Sequence, residues 1–280
     1  MKKNHLKTRS SLWSWLSVLV LLTVVIACSK DTESENDSED KTNVIEEVDK
    51  ANEISETAET EDKEPAEEGE GLQCSDVSNY IFKEKDGLVN VEFENAQFPA
   101  DWVLKTDGDS FSGEGYMVWE GNQYLGNPGN GKASFKIEIE NTGTYRFIWK
   151  SAVKLGNNGS DHNDTWLRFN DADDFYAQKE SSIVYPRDTG KSPNPDGASK
   201  DGWFKIYRSG SDLDFKWQSS TFDNNGHNVY VVFEEAGIYT MEVSARSSGH
   251  GIDRFVLFND SISQSDAISD DKNLSEIRCN

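Results

Sequence analysis

The sequence has little of what makes a catalytic or metal centre legible. Its 280 residues include three cysteines, four histidines, six prolines and three methionines. That is too few cysteines for a dense disulfide scaffold, and His162, His227 and His250 lack the close spacing of a zinc site. No His-x-Glu-x-x-His helix, Gly-x-Ser-x-Gly elbow or Cys-His arrangement occurs, and carboxylates are so abundant that a glycosidase-like pair has no specific signature. Positive charge is also scarce, with 28 Lys and Arg against 51 Asp and Glu and a net charge of -23. Such a chain repels phosphates, which excludes nucleic acid as its partner. From residue 71 onward no helical stripe is sustained, so a helical bundle is excluded as well.

What is present begins with an apolar run at the N-terminus. Lys2, Lys3, Lys7 and Arg9 precede residues 12–27, which are apolar apart from a few hydroxyl residues and too short to read as an ordinary membrane span. This pattern predicts a secretory signal over residues 1–27. It ends in Val25-Ile26-Ala27-Cys28, which resembles the lipobox of bacterial lipoproteins. The resemblance implies that Cys28 carries acyl chains, such as palmitate, and becomes the mature N-terminus. Several chains on one residue give the anchorage that a lone chain cannot. The expected location is the outer membrane, lipid-anchored and facing the cell exterior.

Residues 29–70 hold eighteen acids against four lysines and no aromatic residue. A segment so charged cannot bury enough apolar surface to offset its ordering entropy, so residues 28–70 are expected to form an extended acidic stalk behind the lipidated cysteine. The acids directly after Cys28 (Asp31, Glu33) also resemble the surface-export signal of Bacteroidetes lipoproteins, while solvation of a linker explains them equally.

All nine tyrosines and six of the eight tryptophans lie beyond residue 71, which places one folded domain at 71–280 with its core at about 88–259. Period-two segments are expected as strands at 89–96, 116–120, 133–139, 144–152, 165–169, 203–207, 215–218, 229–233, 238–245 and 252–258. Gly, Asn, Asp and Pro separate them, which argues an all-β fold: a two-sheet antiparallel β-sandwich of the jelly-roll type. Cys74 and Cys279 bracket the domain, and an exported protein meets oxidising conditions, so a disulfide between them is expected.

The stretch Gly249-His250-Gly251-Ile252-Asp253-Arg254-Phe255 brings a charged pair into a core strand at its mouth. Asp253 and Arg254 either meet a ligand there or fix the rim by ion pairing, and both readings stand. Together with Val91-Glu92-Phe93-Glu94-Asn95-Ala96 and Gly143-Thr144-Tyr145, this frame resembles carbohydrate-binding module families 6 and 35, which are galactose-binding-like jelly rolls. The resemblance implies non-catalytic binding of an extracellular polysaccharide. It also implies a structural calcium on Glu92, Glu94 and Asp253, whose hard oxygens suit that ion. The family's sugar-contacting Asn before the Ile-Asp pair is replaced here by Gly251.

Sugar recognition needs aromatic faces and planar polar groups. Trp203, Trp217 and Tyr185 are the expected aromatics, with a core role as the alternative for Trp203 and Trp217. Arg187, His162, Asn163, Asp164, Asn224, Asn225, His227, His250 and Arg254 are the polar candidates. The long connections 154–164 and 184–202 and the turn at His250 are expected to line one end of the sandwich, where the arginines would suit an anionic polysaccharide. Two other classes stay open: a structural or adhesive envelope protein, and a small polysaccharide lyase or glycoside hydrolase. Partner enzymes that degrade polysaccharides fit the first reading.

Lipidation has a direct check. Cys28→Ser is expected to move the protein from the membrane to the soluble fraction and to abolish incorporation of labelled palmitate; a variant that stays membrane-bound and labelled refutes the assignment.

Overall fold

The computed structural model describes residues 74–280. The expected signal, Cys28 and the acidic stalk lie outside the described residues. In chain order the strands are β1 Tyr80–Lys83, β2 Leu88–Glu92, β3 Trp102–Lys105, β4 Tyr116–Trp119, β5 Ala133–Ile139, β6 Gly143–Val153, β7 Asp164–Phe169 and β8 Asp174–Lys179. They continue with β9 Ser182–Val184, β10 Ser199–Lys200, β11 Trp203–Tyr207, β12 Lys216–Trp217, β13 Asn228–Phe233, β14 Gly237–Ser244, β15 His250–Phe258 and β16 Ile277–Cys279. One short helix, α1 Gln264–Ala267, follows β15.

Two sheets face each other as a jelly-roll sandwich. A seven-stranded sheet runs β10-β11-β7-β14-β5-β1-β16, and a nine-stranded sheet runs β3-β4-β15-β6-β13-β8-β9 with β12 beside β6 and β2 beside β15. All pairings are antiparallel except β1 with β5, which is parallel. Strand patterning explains the layering: in β5 and β13 buried residues alternate with more exposed ones, the mark of a strand with one face on the core. Phe93, Phe135 and Phe255 meet between the sheets with ring centroids 5.1 and 5.3 Å apart around Phe135. β15 differs, because all nine of its residues are buried. Its inward residues Phe255 and Leu257 join the main core, while Val256 and Phe258 pack outward with Ile148 and Ala267 beneath α1.

Strands rich in β-branched and aromatic residues fall where the sequence places them. The missed ones are β1, β3, β8, β9, β10 and β16, which are short or open with polar residues and so lack a clean alternation. Cys74 and Cys279 are joined by a disulfide, and Tyr80 pairs with Cys279 across β1 and β16, which brings the two ends of the domain together. The bridge closes a loop of 205 residues in sequence separation. A loop of that length contributes on the order of 5 kcal/mol by constraining the unfolded chain. Reduction is therefore expected to lower the melting temperature without changing the native far-ultraviolet spectrum at low temperature; an identical melting curve in reductant would show that the bridge adds nothing.

Candidate functional site at the loop end of the sandwich

Four strand ends converge at one end of the molecule. Val153 at the end of β6 pairs with His250 at the start of β15, and Asp164 at the start of β7 pairs with Tyr207 at the end of β11. The connection 154–163 is thereby held over this end, with Lys154 N–H donating to Gly249 O at 2.7 Å and Arg208 N–H donating to Asn163 O at 3.1 Å. His162 turns the chain with φ +54°, in the left-handed region that is uncommon for a side-chain-bearing residue, and its Nδ1 lies 2.6 Å from Ser248 O. Facing a carbonyl, that nitrogen carries the proton.

Asn163 and Asp164 follow and are buried. Asn163 Nδ2 donates to Arg208 O at 2.6 Å, and Asp164 forms an ion pair with Arg246. Asp164 Oδ1 and Arg246 Nε are buried and have no hydrogen-bond partner within the protein. These residues form a ridge between two grooves. One, of about 380 Å³, is lined by Gln123, Leu125, Asp161, His162 and Arg246, and the other, of about 460 Å³, by Lys205, Tyr207, Arg208, Asp223 and Asn224. Ser160, Asn163 and Asp164 belong to both.

His162, Asn163, Asp164 and Asn224 are thus brought together, but the other expected members are not. β7 and β11 run antiparallel with Tyr207 opposite Asp164, so Trp203 at the start of β11 lies at the far end of β7. It is 3% exposed, and the Arg168 guanidinium covers its ring at 4.4 Å, leaving no face for a sugar. The connection 184–202, which leads into β11, is kept away from the grooves for the same reason. Its Arg187 is exposed and paired with Asp196 at 2.7 Å, and its Tyr185 lies beside Tyr176 on the nine-stranded sheet. The expectation that both long connections and the His250 turn line one end is therefore corrected.

His250 is also no rim residue. It is fully buried against Trp149, with Nδ1 2.9 Å from Thr165 Oγ1. Burial, aided by the nearby Arg208 charge, pushes its pKa down to about 3, so the ring is neutral. His227 is buried between Asn225 O at 2.6 Å and Ser182 Oγ at 2.9 Å, and Asn225 accepts from Lys179 at 2.9 Å. Arg254 is buried, pairs with Asp270 at 3.1 Å and lies 5.2 Å from the half-buried Trp217 ring, so for Arg254 the rim-fixing reading describes the geometry. Sequence reasoning missed Arg246, Gln123 and Tyr207. Arg246 directly follows a strand expected to end at Ala245, so its place in the rim turn was readable; Gln123 lies in a connection with no pattern at all.

A second polar cluster sits where β2 and β4 share one side of β15. The β15 register shifts between Ile252 and Arg254, and the bulged residue is Asp253. Its carboxylate accepts from Ser112 N–H at 2.9 Å and pairs with Lys150 at 3.0 Å, while Ser112 Oγ donates to Glu92 at 2.9 Å. Glu94 accepts from Glu114 N–H at 2.8 Å, and its other oxygen is buried without a partner. Gly113 has φ +65°, in the left-handed region that favours glycine, and a Cβ there would stand 2.3 Å from Glu94 Oε1, so a side chain would push the Glu94 carboxylate aside. Burial raises the pKa of Glu92 and Asp253, and burial with the charges of Glu92 and Asp253 lifts Glu94 to about 7. Among the described residues no three acid, imidazole or thiol groups are drawn together tightly enough to form a ready metal cage.

No protein-family model matches the chain, and no curated protein matches it either. Among solved structures it is similar to a family 35 carbohydrate-binding module from Clostridium thermocellum at 14% identity and a TM-score of 0.36, covering 61% of this chain and 98% of that one. It is also similar to a module of the same family from Cellvibrio japonicus (12% identity, TM-score 0.36, covering 61% and 93%). A Podospora anserina β-(1,4)-mannanase carrying such a module matches at 15% identity and a TM-score of 0.35, with 62% of this chain covering 28% of that one. These likenesses are distant, and no residue's role passes from them to this chain.

Glu94 supplies a pH test. Its folded pKa of about 7 stands above its ordinary value of 4.5, so its contribution to stability is full below about 4.5 and is lost as pH rises through 7. Without added metal, the melting temperature is expected to fall over that window, and Glu94→Gln is expected to flatten the fall and to be the more stable protein at pH 8. Equal pH profiles for the two proteins would show that Glu94 is not held in a desolvated state.

Proposed function

We propose that this domain binds an extracellular carbohydrate, without catalysis, in the two grooves that flank the Asn163–Asp164 ridge. The observation that carries the reading is the lining of these grooves: the Asn163 amide and the Asp164 carboxylate on the ridge they share, with the Arg246 guanidinium in one groove and the half-buried Tyr207 ring in the other. Vicinal hydroxyls of a sugar match such planar groups, and its C–H face matches the ring. The lining acids speak for binding over hydrolysis, because each is engaged: Asp164 with Arg246, Asp223 with Lys205 and Asp161 with Asn158. Hydrolysis by paired carboxylates needs one acid free to give a proton and another free to receive it.

The wider setting belongs to the same proposal. Acylated Cys28 and the acidic stalk would hold the domain off the outer membrane, facing outward, where it would deliver captured polysaccharide to degrading enzymes. Calcium is proposed as the structural ion of the bulge cluster. The unpartnered Glu94 oxygen and three acids crowded by burial support this, since hard oxygens short of positive charge fit a hard cation. Glu92, Glu94 and Asp253 would hold the ion and fix the Ser112–Glu114 loop. Bound ion would raise the melting temperature with concentration, and chelator would lower it.

Retention of the full chain in gels cast with individual polysaccharides tests the binding reading. Gln123→Ala and Asn224→Ala are each expected to weaken retention about fivefold, for the loss of one neutral hydrogen bond worth about 1 kcal/mol, and Tyr207→Ala about tenfold or more. The melting temperature should stay unchanged for Gln123→Ala, an exposed groove residue, and should fall slightly for Asn224→Ala, because Asn224 sits at φ +60°, where alanine is strained. If the wild type is retained by no polysaccharide, or all three variants by the same one at full strength, the grooves are not the site.

A further inference from the structure

The outer face of the nine-stranded sheet carries a row of side chains that the loop-end grooves do not use. Arg146 on β6 pairs directly with Tyr230 on β13, and Tyr230 with Tyr176 on β8. Phe258 on β15 flanks Arg146 on the other side. Ala177 opposes Val184 on β9, so Tyr185, the next residue, comes beside Tyr176, with ring centroids 6.3 Å apart. The row is therefore Phe258, Arg146, Tyr230, Tyr176, Tyr185. Its neighbours along the strands, Phe147, Val229, Val231 and Ala177, face the core, which fixes the row outward. The Tyr230 and Tyr176 rings stack at 5.5 Å and 19°. From β6 to β9 the row crosses three strand spacings, roughly 14 Å, a length that suits a chain of sugars better than one ring.

Arg146 is the unusual member. The described residues include seven arginines, and the other six each pair with a carboxylate. Arg146 pairs with none: its two terminal nitrogens donate to the neutral oxygens of Gln264 at 2.6 Å and Asn228 at 3.0 Å, and its Nε is buried without a partner. Partial burial costs the guanidinium charge, and no carboxylate of the protein offsets it. In a chain with a net charge of -23, an arginine that pairs with no carboxylate of its own protein is suited to receive an external anion. The space for one exists: a groove of about 400 Å³ runs beside Arg146, walled by Tyr230, Phe258 and Ile262 and edged by Thr142, Thr144 and Asp260.

We propose that this face is a second binding surface, for a sugar chain bearing carboxylate or sulfate groups, with Arg146 receiving the anion and the three tyrosines contacting the rings. The acidic domain repels polyanions as a whole, so retention of one requires a local site of this kind. The surface is separate from the loop-end grooves, and it stands or falls independently of them.

Affinity electrophoresis of the full chain in dextran, dextran sulfate and polygalacturonate decides the matter. Stronger retention by at least one of the two polyanions than by dextran is expected, and which one retains the protein identifies sulfate or carboxylate as the group bound. Arg146→Gln and Tyr185→Ala should each weaken that retention about tenfold, while Ile238→Ala, at an exposed position on β14 of the other sheet, should leave it as it was. Tyr185 is half-buried at the end of the row, so its variant keeps the test valid should Arg146→Gln lower the melting temperature. The proposal is overturned if neither polyanion is favoured over dextran, or if Tyr185→Ala and a folded Arg146→Gln bind as the wild type does.

Discussion

The structure depends on the burial of β15 over its whole length. Its nine residues are covered on both faces, and its backbone pairs with β6 along one side and with β2 and β4 in succession along the other. A strand in that position cannot slide, because a shift of one residue would turn Phe255 and Leu257 out of the main core and Val256 and Phe258 into it. The single bulge at Asp253 is therefore fixed in place, at the junction between β4 and β2. The bulge is what gathers Ser112, Glu92 and Lys150 around one carboxylate. The same register fixes the loop end, since the pairing of His250 with Val153 sets where the 154–163 connection leaves the sheet.

Charge inside this sandwich is handled by pairing, at differing cost. Glu242 is held between Lys132 at 2.6 Å and Arg168, and these hydrogen bonds keep its carboxyl below the ordinary range although burial alone would raise it. In the bulge cluster the balance reverses. Lys150 and Arg254 attract Glu92 and Asp253, yet desolvation outweighs them and the pKa values rise. A fold tolerates such a deficit of positive charge where something else repays it, and this cluster and Arg146 are opposite cases: acids short of a cation, and a cation short of an acid.

The fold was legible because a sandwich core is written in period two. Segments such as Ala133–Ile139 alternate with no ambiguity, and the residues that interrupt them are turn formers. What the sequence could not tell was which strand ends meet. Two long connections, each followed by a tryptophan, look equivalent along the chain, but one enters β7 and the other enters β11, and antiparallel pairing sends their starts to opposite ends. His250 misled for a related reason. A histidine between two glycines looks like a loop residue, whereas here the strand begins at His250 itself and its side chain points inward to Thr165.

The tyrosine row escaped notice because adjacency across strands leaves no trace along them. Arg146, Tyr176, Tyr185 and Tyr230 are scattered over more than eighty positions, and each sits in a strand or beside one where an aromatic or a long side chain is ordinary. Only the register aligns them. The same register argues against a purely structural role. Cross-strand aromatic pairs stabilise a sheet by roughly 0.2–1 kcal/mol, and Tyr230 with Tyr176 supplies that alone. It gives no reason for the half-buried guanidinium of Arg146 to hold only neutral partners, when other arginines of the same domain found carboxylates within 3.1 Å. Stability would favour an acid at position 228 or 264, where Asn and Gln stand. Keeping amides there leaves the charge uncompensated within the protein, as a surface that takes its anion from outside requires.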